Sequence, residues 1–274
     1  MLDAKLSQAS KLIDITSNIK KNIQNSRTKL LTITSGKGGV GKSTFTANIA
    51  FLLAQKDLKI AVLDADIGLA NMQVLFDIKP QNTLFEYIDG TKTLDEVITK
   101  TIYPNVHLVA GRSGYQYAIN KNTFVFSRIV KDIISLNDFD ILLVDTGAGL
   151  NEYVKEFLSI SDNILAITTT DPSALTDVYS LMKMLSLEKS KLMLSFNHTR
   201  NYQIGETIAN SLINLGKKNS LNKDFMVEYI GNVSTSANIS TTGRLRKLFA
   251  NEFSSDETTK QLQVIIDKLL KNIH

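Results

Sequence analysis

The 274-residue chain carries 31 lysines and arginines against 27 aspartates and glutamates, a formal charge of +4, and contains neither cysteine nor tryptophan. Without cysteine there is no disulfide framework, no thiolate zinc or iron–sulfur site and no thiol nucleophile. Hydrophobic residues at 43%, charged residues at 21% and only three prolines describe a folded globular chain, and neither an 18-residue apolar run nor a basic-then-apolar start in MLDAKLSQASKLIDI points to a membrane span or an export signal.

The first expected element is an amphipathic helix over residues 2–24. Leu2, Leu6, Ala9 and Ile13, then Leu12, Ile15, Ile19 and Ile23, recur there at helical spacings. It lies in the basic part of the chain. Residues 1–60 hold ten basic side chains (Lys5, Lys11, Lys20, Lys21, Arg27, Lys29, Lys37, Lys42, Lys56 and Lys59) against Asp3, Asp14 and Asp57, so this part is +7 and the remainder −3. A solvated basic face explains such a bias more simply than nucleic-acid or acidic-partner binding.

From Lys29 onward, short apolar runs alternate with longer helical ones. The runs are Leu30–Thr34, Ile60–Leu63, Val106–Val109, Ile141–Val144, Ile164–Thr168, Leu192–Phe196 and Met226–Ile230. They are nearly continuous, as in strands buried on both faces of a parallel sheet. Helical periods occupy Ser43–Gln55, Thr123–Ser135, Leu175–Leu187 and Ile204–Leu215. This alternation predicts a doubly wound α/β fold with a mostly parallel sheet, whose ligands gather at the carboxyl ends of the strands. A last helix over residues 258–272 places Leu262, Ile265, Ile266, Leu269, Leu270 and Ile273 on one stripe, with Lys260, Lys268 and Lys271 opposite. The expected organisation is an N-terminal helix (1–28), a core domain (29–253) and a C-terminal amphipathic helix (254–274).

Leu30–Thr34 runs straight into Ser35-Gly36-Lys37-Gly38-Gly39-Val40-Gly41-Lys42-Ser43-Thr44, with a helical pattern after it. This fits the phosphate-loop pattern G-x-x-x-x-G-K-S/T, with Gly36, Gly41, Lys42 and Ser43 at its defining positions. Glycines let successive backbone N–H groups converge on phosphate oxygens, and the following helix aims its N-terminus at the same anion. In such loops the lysine reaches the β- and γ-phosphates and the hydroxyl binds Mg²⁺, here Lys42 and Ser43.

Lys37 stands directly after the first glycine, where a generic phosphate loop needs no lysine. From there it is poorly placed to duplicate Lys42 on the same nucleotide; pointing outward, it can neutralise phosphate on a nucleotide held by a second subunit. The sequence K-G-G-V-G-K-S-T resembles the deviant phosphate-loop motif of the MinD/ParA family, and the resemblance extends over residues 29–250. It implies an ATPase that uses ATP and Mg²⁺ and forms a nucleotide-sandwich homodimer, with Lys37 crossing the interface.

Further segments carry the same resemblance. Ile60-Ala61-Val62-Leu63-Asp64-Ala65-Asp66 is similar to the family's D-x-D strand end, which would give Asp66 the attacking water and place Asp64 near the metal and the γ-phosphate. A carboxylate at a strand's carboxyl end can accept a proton or orient a water in line. Ile141-Leu142-Leu143-Val144-Asp145 reads as a Walker B strand, with Asp145 supporting the Mg²⁺ shell and Thr146–Leu150 sensing the γ-phosphate. Gly147 and Ala148 stand where many members carry proline. Asn197 matches the amide by which the family reads adenine, offering both donor and acceptor. The last adenine-contacting loop would be Gly231-Asn232-Val233-Ser234-Thr235, which also lacks the usual proline. The implied catalytic set is Lys37, Lys42 and Asp66, and the implied metal set Ser43, Asp64 and Asp145. His107, His198 and His274 have no metal-ligand spacing and receive no catalytic role.

The absence of cysteine argues against the iron–sulfur branches of this superfamily. Membrane-cycling regulators of division or flagellar placement, and DNA-bound partitioning ATPases, stay open. The C-terminal stripe with its lysines is similar to a MinD-type membrane-targeting helix, implying reversible attachment of a cytoplasmic protein to the inner face of the cytoplasmic membrane through residues 258–274; packing on the core is the other reading. Ser7-Gln8-Ala9-Ser10-Lys11-Leu12-Ile13 is similar to the D-Q-A-x-x-L-R segment by which flagellar-number regulators of the FlhG type engage the GTPase FlhF. Gln8, Ala9 and Leu12 match, whereas Ser7 replaces the acid and Ile13 the arginine. Twenty-eight residues are too few for a helix-turn-helix DNA-binding domain. The expectation is therefore an FlhG-like ATPase whose partners are a second copy, an FlhF-like GTPase and anionic membrane, with flagellar base proteins or a flagellar transcription factor as further candidates.

Overall fold

A computed structural model describes residues 17–66, 70–112, 125–200, 202–219 and 221–273. Gln8, Ala9 and Leu12, proposed to engage a GTPase, lie outside the described residues. The elements run as follows: α1 (residues 17–24), β1 (Lys29–Ser35), α2 (Lys42–Ala54), β2 (Ile60–Ala65), α3 (Met72–Leu75), α4 (Leu84–Ile88), α5 (Leu94–Val97), β3 (Ile98–Lys100), β4 (Val106–Val109), α6 (Val125–Ser135), β5 (Ile141–Ala148), α7 (Glu152–Ile160), β6 (Asn163–Thr168), α8 (Pro172–Leu185), β7 (Lys191–Thr199), α9 (Tyr202–Lys218), β8 (Met226–Ser234), α10 (Ala237–Arg244), α11 (Phe249–Glu252) and α12 (Glu257–Asn272). The strands form one sheet in the order β3-β4-β2-β5-β1-β6-β7-β8. All neighbours pair in parallel except β3, which runs antiparallel to β4 at one edge.

All seven predicted strands are present, and the doubly wound architecture is the observed one. Alternation along each strand feeds two cores. Leu31 and Ile33 of β1 face α2, α3 and α12, while Leu30 joins the cluster on the opposite face with α4, α6 and α7. The chain leaves β1 to build one half of the sheet and crosses from β5 over to β6 to build the other. β1 therefore lies at the switch point, where ligands of open α/β sheets bind. Helix α2 is buried all round, with only Ser43 and Thr44 of its thirteen residues partly open, as expected for a helix covered by both the sheet and further helices.

The helix α1 is docked at the amino-terminal pole of the strands. Ile19 and Ile23 are buried in the core, and Lys20 and Gln24 both hold Asp162, just ahead of β6, the former at 3.2 Å. Nearby, the almost fully buried Lys189 donates to the carbonyls of Ser159 and Ser161 and so closes the end of α7. Burial pushes its ammonium down to about 8.

The C-terminal helix departs from its expected role as a separate element. Leu262, Ile265, Ile266 and Leu269 are each at most 4% exposed and belong to the same core cluster as α2 and β1. Of the two readings of this stripe, packing on the core is the observed one in this structure. Gly231 shows how closely it sits: the residue has φ +139°, and a Cβ there would come within 2.7 Å of Ile265 Cγ1. Among the described residues no helix is long and apolar enough to cross a membrane.

Candidate nucleotide site

The loop after β1, the strand end of β2 and the turn after β5 meet at the carboxyl pole of the sheet. Gly41, the N-cap of α2, has φ +83°, and a Cβ on it would lie 2.5 Å from Asn197 Nδ2. Only glycine serves there, because the left-handed backbone and the close approach both exclude a side chain. The opposite wall of the loop is equally tight, since a Cβ on Gly36 would meet the backbone of Asp177 in α8 at 2.6 Å. A Cβ on Gly38 would approach Ala148 at 3.8 Å, which brings the phosphate loop against the turn after β5. That turn is pinned by Gly149 N donating to Ser35 O at 2.9 Å.

Lys42 is 6% exposed and donates from Nζ to Asp145 Oδ1 at 2.9 Å. Thr46 Oγ1 donates to the same oxygen at 3.0 Å. The other oxygen of Asp145, Oδ2, is buried without a hydrogen-bond partner among the described residues. On the adjacent strand Asp64 is in register with Asp145. Burial, and then the Asp145 charge, push its carboxyl up to about 7, against the lowering effect of the Met72 and Asp66 N–H groups. Asp66 lies closer to the opening, where a side chain built on Gly147 would meet its Oδ1 at 3.7 Å. Two buried carboxylates with one lysine, an orphaned oxygen and a raised acid together describe a place deficient in positive charge. Among the described residues no group of three or more His, Cys, Asp or Glu could hold a metal alone. The orphaned Asp145 Oδ2 and the neighbouring Asp64 carboxyl fit Mg²⁺, which binds through one or two carboxylates plus substrate phosphates.

Of the residues named from sequence, the structure brings Lys42, Asp64, Asp66 and Asp145 together at the phosphate loop, with Ser43 on the first turn of α2. Lys37 is exposed, and its Nζ donates to Ser173 Oγ at the start of α8, 2.7 Å away. Asn197 donates from Nδ2 to Val40 O at 2.9 Å, tying the end of β7 to the loop. Beside it a cavity of about 170 Å³ opens between α2, β7 and the C-terminal elements, and His198, with φ +57°, lines it. Sequence reasoning set His198 aside for want of metal spacing and passed over Thr46. The signal for Thr46 was available: it stands four residues after Lys42, on the same face of α2. Gly231–Ser234 is not the loop expected there. These residues complete β8, held by Asn232 Nδ2 donating to Thr199 Oγ1 at 2.7 Å and Ser195 Oγ donating to Gly231 O at 2.9 Å. The ladder with β7 shifts register at Ile230 and again between Asn232 and Ser234, and Val233 reaches the cavity from a strand.

With this geometry in place, comparison with known proteins gives the class. A family model described as ParA, NUBPL iron-transfer P-loop NTPase, matches residues 26–270. The chain belongs to the ParA/MinD family of P-loop NTPases. It is 34% identical over 270 residues to the flagellum site-determining protein YlxH of Helicobacter pylori, covering 96% of this chain and 91% of that one. It is 33% identical over 160 residues to the antiactivator FleN of Pseudomonas aeruginosa, covering 58% of this chain and 56% of that one. The fold is also that of septum site-determining protein MinD from Pyrococcus horikoshii in complex with Mg-ADP, with a TM-score of 0.73 at 19% identity over 88% of this chain and 96% of that one. Its enzymatic activity is ATP hydrolysis.

Proposed function

We propose that this ATPase is a nucleotide-driven switch regulating flagellar number or placement. The observation that carries the chemistry is the buried Lys42–Asp145 pair beside Asp64, at the meeting point of three loops that a bound triphosphate would touch. ATP would sit with its phosphates on the backbone N–H groups of Gly36–Thr44 and its base beside Asn197. Mg²⁺ would be held by Ser43 and Asp145, with Asp64 behind, and supplies neutralisation of the charge that develops as the γ-phosphoryl leaves. Lys42 holds the β- and γ-phosphates, and Asp66, nearest the opening, orients the attacking water. The turn at Thr146–Leu150 reads the γ-phosphate from its seat on Ser35. The flagellar assignment is supported by the name of the flagellum site-determining relative and by the N-terminal segment with Gln8, Ala9 and Leu12, through which an FlhF-type GTPase would be engaged. With no cysteine in the chain, thiolate-based iron transfer has no ligands.

The switch works by dimerisation. Lys37 is exposed on the rim of the loop, and its bond to Ser173 is an exposed one, cheap to exchange for phosphate on a second subunit. Size-exclusion chromatography of Asp66→Ala protein, which holds ATP unhydrolysed, is expected to show a dimer with ATP and a monomer with ADP. Adding Lys37→Ala should leave a monomer in both; a dimer surviving Lys37→Ala, or none forming with Asp66→Ala alone, overturns the sandwich.

Reversible attachment to anionic membrane through residues 258–274 belongs to the same reading, supported by the exposed Lys260 and Lys271 of α12, whereas Lys268 lies half-buried over the Tyr229 ring. Because its apolar stripe is docked, insertion requires undocking four side chains at roughly 1.5–3 kcal/mol each, which the lipid interface repays. Charge reversal of Lys260 and Lys271 leaves the docked face intact. Sedimentation with anionic liposomes is expected to drop to the level seen with neutral ones, and unchanged pelleting would leave α12 a purely structural helix.

A further inference from the structure

The cavity beside Asn197 has a wall that no phosphate-loop argument predicts. Thr258 and Leu262 of α12 close it opposite Phe45 and Asn48 of α2. Its volume, about 170 Å³, is close to the roughly 150 Å³ of apolar cavities that hold a single benzene ring, so it takes one heterocycle and not a whole nucleotide. It adjoins Gly41 and Thr44; a ligand whose phosphates lie in the loop therefore has its base here. The wall is rigidly placed. Asp256 caps α12 by accepting from Thr258 N at 2.8 Å, Ile265, Ile266 and Leu269 are fully buried, and Ile265 leaves no room at Gly231 for even a methyl group.

We propose that Thr258 and Leu262 are specificity-determining residues of the nucleotide-base pocket, so that docking of the C-terminal helix and binding of a purine base form one linked equilibrium. The proposal rests on the nucleotide reading above. Linkage is reciprocal: a base in the pocket steadies the Thr258–Leu262 wall by as much as the wall strengthens the hold on the base.

The test compares Leu262→Ala with Leu269→Ala, since Leu269 is equally buried on the same helix but takes no part in the cavity. Calorimetric titration of full-length protein uses ADP and inorganic pyrophosphate, each with Mg²⁺. Leu262→Ala is expected to weaken ADP about tenfold or more, the usual effect of a lost apolar contact in a pocket, and to leave pyrophosphate unchanged. Leu269→Ala is expected to lower the melting temperature without altering ADP affinity. In wild-type protein, hydrogen exchange over residues 257–266 should slow with ADP and not with pyrophosphate, a readout that survives if Leu262→Ala does not fold. Equal loss of ADP affinity in both variants, equal loss of pyrophosphate, or exchange indifferent to the base overturns the wall. Wild-type protein that binds pyrophosphate but not ADP overturns it too, while protein that binds neither overturns the nucleotide reading with it.

Discussion

Lys42→Met is expected to abolish ATP hydrolysis and also to cost the nucleotide-free protein about 3–5 kcal/mol, the usual result of removing one partner from a buried ion pair. Asp145 is fully buried, its Oδ1 is held by Lys42 and Thr46, and its Oδ2 has no partner among the described residues. Removing the ammonium leaves a carboxylate with one hydroxyl for company and Asp64 on the neighbouring strand. The double variant Lys42→Met/Asp145→Leu removes the stranded charge together with its cause, and a buried pair replaced by apolar residues is often neutral for stability. Urea unfolding should therefore show the double variant more stable than the single one, while phosphate release stays undetectable in both. If the single variant is as stable as wild type, the pair contributes nothing to the fold.

The second large effect is on pH dependence. The Asp64 carboxyl is pushed up to about 7, first by burial and then by Asp145. Its folded value thus exceeds the unfolded value of 3.8, and the folded state binds this proton more tightly. The corresponding stability is complete below about pH 4 and is lost as pH rises from there to about 7. At roughly 1.4 kcal/mol for each tenfold gain in proton affinity on folding, the loss amounts to a few kcal/mol. Thermal unfolding of nucleotide-free protein between pH 5 and 8 should show wild type losing stability relative to Asp64→Asn, which has no proton to give up. Parallel curves for the two proteins would mean that Asp64 is ionised throughout. By the same sign, stabilisation by Mg-ADP is expected to be larger at pH 8 than at pH 5.5, since a cation favours the ionised acid.

Much of this architecture was readable because strands buried on both faces leave short, continuous apolar runs bounded by turn residues. The phosphate loop was legible for a different reason: its glycines and lysine are dictated by phosphate geometry, not by packing. The features that escaped share a physical cause. The strand β3 is three half-exposed residues pairing antiparallel at an edge, too short and too polar to show a period. Helix α7 carries an amphipathic pattern in Val154, Phe157 and Leu158, but its nine residues are too few for the helical period to stand out. The stripe on α12 is legible and its neighbour stays open between two readings, because periodicity reports that one face is apolar and not whether lipid or protein covers it. His198 could not be placed from sequence, since apart from Asn197 its neighbours in the cavity come from the phosphate loop, α2, β8, α10, α11 and α12, more than thirty positions away along the chain.

The anchorage of α1 gives the molecule two working ends. Lys20 and Gln24 grip Asp162 where β6 begins, while the phosphate loop opens where β1 finishes, about 20 Å away along the strands. A contact made at Lys20, Gln24 and Asp162 therefore leaves the surface around the phosphate loop uncovered, and the two poles of the sheet are free to carry separate interactions.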